Sequence, residues 1–296
     1  MNEYNFEVQE ICVWTYIVKF LNSMEKIPII AIIGPTASGK TAKAIALAKE
    51  IDGEIISVDS RQVYRGLDIG TEKISKEEMG GIPHHLIDIR DPKEIYSAGD
   101  FVHDADALIK EIAKRGKKVI LAGGTHFYFD ALIYGLPKLP TGNSVRRKEL
   151  EHNTPAELFT LLQNLDTNRA ETIDKNNSRR LIRAIEIAEV IGKTPTRVRE
   201  ARYEVTWHPI LPDEKTLKER LSTRLAHAFS KGLIDEVKNV RAYVGDERLN
   251  ELGLEYRIVG EFLRHERDEA SLIPALETKL RQYAKDQMKW IRKLTT

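Results

Sequence analysis

Residues 27–41 read IPIIAIIGPTASGKT. The first half is short, apolar and rich in isoleucine, which predicts a buried parallel strand over 27–33. The second half, Gly34-Pro35-Thr36-Ala37-Ser38-Gly39-Lys40-Thr41, fits G-x-x-x-x-G-K-[ST]. That pattern is a phosphate-binding loop when a strand precedes it and a helix follows. A helix is expected to follow, because residues 40–50 place Ala and Leu at helical intervals. The chemistry is local. Glycines let backbone N–H groups curl around phosphate oxygens, and the helix start adds partial positive charge. Lys40 supplies a full charge, and the Thr41 hydroxyl suits Mg²⁺. A chance match in an ordinary turn is the competing reading, and the register of strand, loop and helix weighs against it.

Working outward, further strands are expected at 55–58, 85–89 and 118–122. A helix is expected at 98–114, with Phe101, Ala105, Leu108 and Ile112 on one face and Gly116 beyond its end. Strands alternating with helices predict an α/β fold, a P-loop doubly wound parallel sheet with a helical insertion domain. After Leu136-Pro137-Lys138-Leu139-Pro140 the strand signals stop until about Val205. Helices are expected at 155–164 and 179–191, the second carrying Leu181, Ile185, Ala188 and Ile191 on one side and Gly192 and Pro195 as stop signals. A strand at 205–211 then rejoins the sheet. Helices follow at 217–231, 234–243, 256–264 and 274–293, with Pro274 suited to the first position of the last. The expected layout is an N-terminal extension (1–26), the first part of the core (27–137), a helical insertion (138–204) and the completion of the core (205–296).

Composition narrows the function classes. The chain has 296 residues, 42% hydrophobic and 31% charged, which is ordinary for one large or two modest folded domains. Its one cysteine, Cys12, excludes a disulfide framework and a four-cysteine zinc site. No apolar run of about 18 residues exists, so no membrane span is expected. The apolar patch at 11–18 follows Glu3, Glu7 and Glu10 instead of the basic start of an export signal, so a cytoplasmic protein is expected. With 46 Lys+Arg against 45 Asp+Glu, net charge alone does not call for nucleic acid, but basic residues are in excess between 138 and 231. Arg281, Lys285, Lys289 and Arg292 share one helical face, which suits either a phosphate backbone or plain solvent.

Ligands of open parallel sheets bind beyond the carboxyl ends of the strands. Asp59 follows the 55–58 strand and is therefore expected across the crevice from the phosphate loop. A carboxylate there coordinates a metal, binds a hydroxyl or takes a proton, and a turn or helix-capping aspartate is the ordinary alternative. Arg61, Gln62 and Arg65 suit bases or phosphates, and taken singly they suit a solvated loop. The strand at 119–122 ends in Gly123-Gly124-Thr125 with no carboxylate, which tilts against an NTP-hydrolysing motor, although Asp88 is a possible substitute. His84 and His85 form a weak metal pair without a third ligand. Phe127, Tyr128 and Phe129 suit core packing at a helix start more than base stacking.

Six ordered motifs carry a resemblance: residues 34–41, 59–71 (DSRQVYRGLDIGT), 83–89 (PHHLIDI), 123–132 (GGTHFYFDAL), 177–186 (NSRRLIRAIE) and 281–292 (RQYAKDQMKWIR). Over about 29–292 the chain resembles the bacterial tRNA dimethylallyltransferases, which prenylate N6 of the adenine 3′-adjacent to the anticodon. The resemblance implies that the loop Gly34–Thr41, with Lys40, holds the diphosphate of dimethylallyl diphosphate in place of ATP. It implies that Asp59 is the general base, that Thr125 lines the channel, and that Arg220 helps neutralise the leaving group, with Arg224 one turn on. Asp59, Ser60, Arg61, Gln62, Thr125, Arg146, Arg179, Arg180, Leu181, Ile182 and Arg183 would contact tRNA, with Arg147 the alternative to Arg146. The implied cofactor is Mg²⁺, held at Thr41. The implied partners are the tRNA anticodon stem-loop and dimethylallyl diphosphate, no membrane is involved, and a monomer is the expected state. The segment 252–257 (LGLEYR) departs from the family's Gly-Tyr-Lys/Arg pattern.

The implied chemistry is coherent. An adenine amine is a poor nucleophile, and an allylic diphosphate compensates because its carbon–oxygen bond loosens toward a stabilised cation. The protein's main task is then to stabilise the departing diphosphate. Two alternatives stay open: a P-loop enzyme acting on free nucleotides, whether kinase or prenyltransferase, and a non-catalytic RNA-binding or NTP-sensing module. The basic insertion opposes the first, and intact Lys40, Thr41 and Asp59 oppose the second.

Overall fold

A computed structural model describes residues 26–137, 139–193 and 199–295. Apart from Lys26, the expected extension at 1–26, Cys12 included, lies outside the described residues, as does the Pro195 stop signal. The chain forms two compact units, one of residues 1–135 with 201–296 and one of Leu136–Glu200.

The larger unit is built on five parallel strands: β1 (Pro28–Ile33), β2 (Gly53–Val58), β3 (His84–His85), β4 (Lys118–Gly123) and β5 (Glu204–Pro209). Their order is β3-β2-β4-β1-β5. The register pairs Ile29 with Val119 and Val205, and Ile55 with Ile120 and His84. Helix α1 (Lys40–Ile51) covers one face, where Ala44 and Ala48 meet Ile32, Ile55 and Ile120. The other face puts Ala31, Ile33, Ile56, Val58 and Leu121 into the larger core, with residues of α2 (Ala98–Lys114) and α3 (His126–Tyr134). Both faces are covered, so the central strands read as unbroken apolar runs.

The third strand is shorter than the expected 85–89. Leu86 and Asp88 adopt positive φ values of 61° and 55°, which break the ladder. Residues 88–90 turn to bond the Asp59 loop instead, Asp88 N–H to Gln62 O at 3.1 Å and Ile89 N–H to Val63 O at 2.9 Å.

The smaller unit contains α4 (Ser144–Glu151), α5 (Pro155–Leu165), α6 (Thr167–Thr172) and α7 (Ser178–Ile191). Thr154 and Glu157 form a reciprocal cap at the start of α5, with Pro155 at its first position. Leu150, Leu158, Leu162, Ala170, Leu181, Ile182 and Ile185 make its core. The short helices α4 and α6 escape the sequence reading because they span only eight and six residues and are mostly polar, so neither shows an apolar period.

The chain then returns to the larger unit through β5 and four helices: α8 (Glu214–Ser230), α9 (Leu233–Leu249, kinked at Gly245), α10 (Leu254–Leu263) and α11 (Leu272–Thr295). A 3₁₀ turn at Glu269–Ser271 leads into α11, so Pro274 is the third residue of that helix and not the first. Among the described residues no helix is long and apolar enough to cross a membrane.

Candidate active site

Three neighbouring strands end at one edge in the order β2, β4, β1. Asp59 follows β2, Gly124 and Thr125 follow β4, and the loop 34–39 follows β1. Adjacent strands lie about 4.8 Å apart, so the ends of β2 and β1 are separated by roughly 10 Å. A cleft of about 1570 Å³ runs along this edge and is lined by Lys40, Thr41, Asp59, Thr125, Arg220 and Tyr283, among others.

The phosphate loop has the backbone that its sequence requires. Ala37 and Gly39 take positive φ values of 59° and 86°. Helices α2 and α8 begin with side-chain caps from Ser97 and Asp213, but α1 begins at Gly39 with none. Its first N–H groups are therefore left for an anion. The Ser38 hydroxyl is buried without a partner among the described residues. A side chain on Gly34 would collide with that hydroxyl. Lys40 Nζ reaches back to Pro35 O at 3.4 Å. Burial lowers the pKa of its ammonium from the ordinary value, with Arg224 acting in the same sense and the carboxylates of Asp59 and Glu72 opposing.

Asp59 Oδ1 accepts the N–H groups of Arg61 at 2.8 Å and Gln62 at 3.2 Å. This turn fixes the carboxylate at the cleft edge. Gln62 is used structurally: its Nε2 donates to Thr71 O at 3.2 Å and Glu72 O at 3.3 Å, and its Oε1 accepts from Ser57. Thr125 Oγ1 accepts the Ser60 N–H at 3.2 Å. Gly123 serves strand packing, because a Cβ there would strike the Val58 carbonyl. Tyr128 and Phe129 are buried in the core, Tyr128 stacked on Phe101 at 4.5 Å, while Phe127 is 50% exposed.

Helix α8 brings two arginines to the loop. Arg220 Nη1 donates to Ser38 O at 2.9 Å. Arg224 is more deeply engaged than its subordinate place in the sequence suggests. Its side chain, 10% exposed, bonds the Thr36 hydroxyl, Gly70 O at 3.2 Å and Glu255 at 3.0 Å. Burial raises the pKa of Glu255 despite that arginine.

Two site residues, Gln287 and Glu236, escape the sequence reading. Gln287 on α11 is 2% exposed; its Oε1 accepts the Thr36 N–H at 3.1 Å and its Nε2 donates to Gly124 O at 2.8 Å. The available signal was a polar residue on the apolar stripe Leu276, Leu280, Ala284, Ile291 and Leu294. Glu236 on α9 accepts the N–H groups of Asp68, Ile69 and Gly70 at 2.7–2.9 Å and the Tyr256 hydroxyl at 2.7 Å. It shapes the loop that ends the DSRQVYRGLDIGT motif. Glu255 and Tyr256 belong to the segment whose sequence departs from the family pattern.

Other candidates are spent elsewhere. Asp88 pairs with Lys73 at 2.5 Å. His85 Nε2 meets Glu54 at 2.7 Å and His84 Nδ1 meets Ile82 O at 2.8 Å; among the described residues no cluster of three His, Cys, Asp or Glu side chains could hold a metal. Lys285 and Lys289 of the basic stripe pair with Glu214 and Asp286.

Within the smaller unit, Arg146 pairs with Glu189 at 2.7 Å and Glu149 at 2.9 Å. Arg147 and Arg183 share Glu186, which is buried. Arg179 and Arg180 are exposed in the first turn of α7. Leu181 and Ile182 are buried in the unit's core, because the apolar face of α7 recurs every three to four residues and both lie on it. Their side chains are thus unavailable to RNA, and only their backbone is left for such a contact.

The IPP transferase family profile matches residues 62–294. A tRNA dimethylallyltransferase of Anoxybacillus flavithermus is 40% identical over 280 residues, spanning 89% of this chain and 87% of that protein. One from Hydrogenovibrio crunogenus is 39% identical over 279 residues, spanning 89% and 86%. Among solved structures, the full-length tRNA isopentenylpyrophosphate transferase of Bacillus halodurans superposes with a TM-score of 0.69 at 37% identity, covering 90% of this chain and 87% of the other. A eukaryotic dimethylallyltransferase solved while acting on tRNA gives a TM-score of 0.74 at 28% identity, covering 89% and 69%.

Proposed function

The chain belongs to the IPP transferase family, and we propose that it transfers the dimethylallyl group from dimethylallyl diphosphate to the N6 amine of the adenine 3′-adjacent to the anticodon of tRNA. One observation carries the reading: the ends of β2, β4 and β1 bring Asp59, Thr125 and the loop 34–41 to a single cleft.

In the transfer, the bond between the allylic carbon and the diphosphate oxygen breaks, and a bond from N6 to that carbon forms. Diphosphate leaves, and the N6 proton passes to the Asp59 carboxylate. The amides at the start of α1, with Lys40 and Arg220, stabilise the charge that grows on the leaving group. The buried Ser38 hydroxyl, without a partner among the described residues, suits one of its oxygens. Asp59 is already aimed by two backbone N–H groups, and as a carboxylate it also stabilises the amine as it becomes cationic.

The site suits Mg²⁺ bound mainly through phosphate and water. Thr41 is exposed in the first turn of α1, and no acidic cluster among the described residues competes for the ion. When bound, the ion neutralises charge on the departing diphosphate. A stacked adenine cannot reach a recessed carboxylate, so the base must swing out, and single-stranded loop bases do this at least cost. Arg61 at the cleft and Arg179, Arg180 and Arg183 on α7 are the candidate RNA contacts. We place the activity in the cytoplasm and expect a monomer.

Competition tests the acceptor. With dimethylallyl diphosphate limiting, an anticodon stem-loop should take nearly all the prenyl group in the presence of excess AMP and ATP. Preferential prenylation of the free nucleotide would overturn the reading.

A further inference from the structure

Thr36, at the entry of the phosphate loop, has its backbone N–H and one lone pair of its hydroxyl engaged by protein. Its N–H goes to Gln287 Oε1 at 3.1 Å, and its hydroxyl oxygen accepts from the Arg224 guanidinium. Neither partner is loose. Gln287 is buried and its amide nitrogen is committed to Gly124 O at 2.8 Å. Arg224 is committed to Gly70 O and Glu255, with Glu72 at 3.5 Å.

The other end of the loop is different. The helix begins at Gly39 without a side-chain cap, and the Ser38 hydroxyl has no partner among the described residues. Loops of this type cradle the inner phosphates on the amides leading into the helix, while the outermost phosphate of a longer chain meets the lysine and the loop entry. Here the entry is closed. We propose that Gln287 sets the length of the phosphate chain that the loop accepts, by taking the Thr36 N–H so that two phosphates are cradled and a third finds no backbone donor at the entry, while Arg224 pins the Thr36 side chain. Glu255 and Glu72 offset the charge of Arg224, so the entry offers a third phosphate little compensation. Gln287 is thereby a specificity-determining residue that selects a diphosphate over a nucleoside triphosphate. This rests on the reading of the loop as a diphosphate site.

The test is calorimetric binding of inorganic pyrophosphate and tripolyphosphate, with Mg²⁺, to the full chain and to two variants. The wild type should prefer pyrophosphate by about tenfold or more, the scale of one lost hydrogen bond to a charged group. Gln287→Met fills the same space without an amide acceptor and should cut that preference about fivefold, by strengthening tripolyphosphate binding. Gln287→Glu keeps an acceptor for the Thr36 N–H and should keep the preference. Equal wild-type affinities, an unchanged ratio in Gln287→Met, or loss of the preference in Gln287→Glu would each overturn the proposal. Failure of pyrophosphate to compete with dimethylallyl diphosphate in the wild type is a separate result, and it would overturn the assignment of the loop itself.

Discussion

The Ser60 N–H donates to Thr125 Oγ1 at 3.2 Å, and this bond ties the loop carrying Asp59 to the end of the neighbouring strand. The position of the carboxylate therefore depends on a hydroxyl 65 residues away. Thr125→Val keeps the shape but leaves the Ser60 N–H unpaired. It should lower kcat about tenfold, and Thr125→Ser should restore most of it. Steady-state kinetics on both variants checks this.

Asp59→Asn removes the proton acceptor while keeping most of the turn. Prenyl transfer should fall by about 10² or more, the usual worth of a general base, with tRNA affinity held within a few-fold. Single-turnover rates and filter binding on the same preparation separate the two. Unchanged turnover would remove Asp59 from the chemistry.

Lys40 makes diphosphate binding pH-dependent. Burial lowers its pKa in the free protein, and the arriving negative charge raises it again. The complex therefore holds more proton than the free protein, binding takes up a proton, and affinity falls as pH rises above the free-protein pKa. Calorimetry in two buffers of different ionisation enthalpy should show an uptake that Lys40→Arg abolishes, because a guanidinium does not titrate there.

Glu236 supports the site from outside the cleft. Glu236→Ala leaves three adjacent N–H groups and the Tyr256 hydroxyl without their acceptor. Stability should drop by about 2–4 kcal/mol, given roughly 1–3 kcal/mol for each group left unsatisfied and partial rescue by water. Urea denaturation measures the loss, and Glu236→Gln should recover part of it.

The arginines of the smaller unit divide by partner. Arg180→Glu should weaken tRNA binding and flatten its dependence on salt, since one phosphate contact is lost. Arg147→Ala should instead reduce thermal stability, because buried Glu186 loses one of the two arginines that it pairs with among the described residues.

Local sequence carried the sheet and the loop because their signals are short-range. Three isoleucine-rich or valine-rich runs, at 27–33, 55–58 and 118–122, and one G-x-x-x-x-G-K-T are legible without tertiary contacts, and Asp59 follows from its place after a strand. Gln287 and Glu236, and the bond from Arg224 to Thr36, were illegible for the opposite reason. Gln287 lies 251 positions from Thr36 and Arg224 lies 188. Only the packing of α8 and α11 beside the sheet edge brings them together. The third strand was overdrawn because apolar residues at 86–89 look extended, whereas positive φ at Leu86 and Asp88 turns the chain toward the Asp59 loop.

A crystal structure of the full chain with an anticodon stem-loop and a non-hydrolysable thiolo-diphosphate analogue of dimethylallyl diphosphate shows whether the phosphate loop and Asp59 serve one reaction. The two phosphates should lie against the amides of 37–41 with Lys40 and Arg220 on their oxygens, and the extruded adenine's amine within hydrogen-bond reach of Asp59. Phosphates bound away from that loop, or an amine too distant from Asp59 to share a proton, would contradict it.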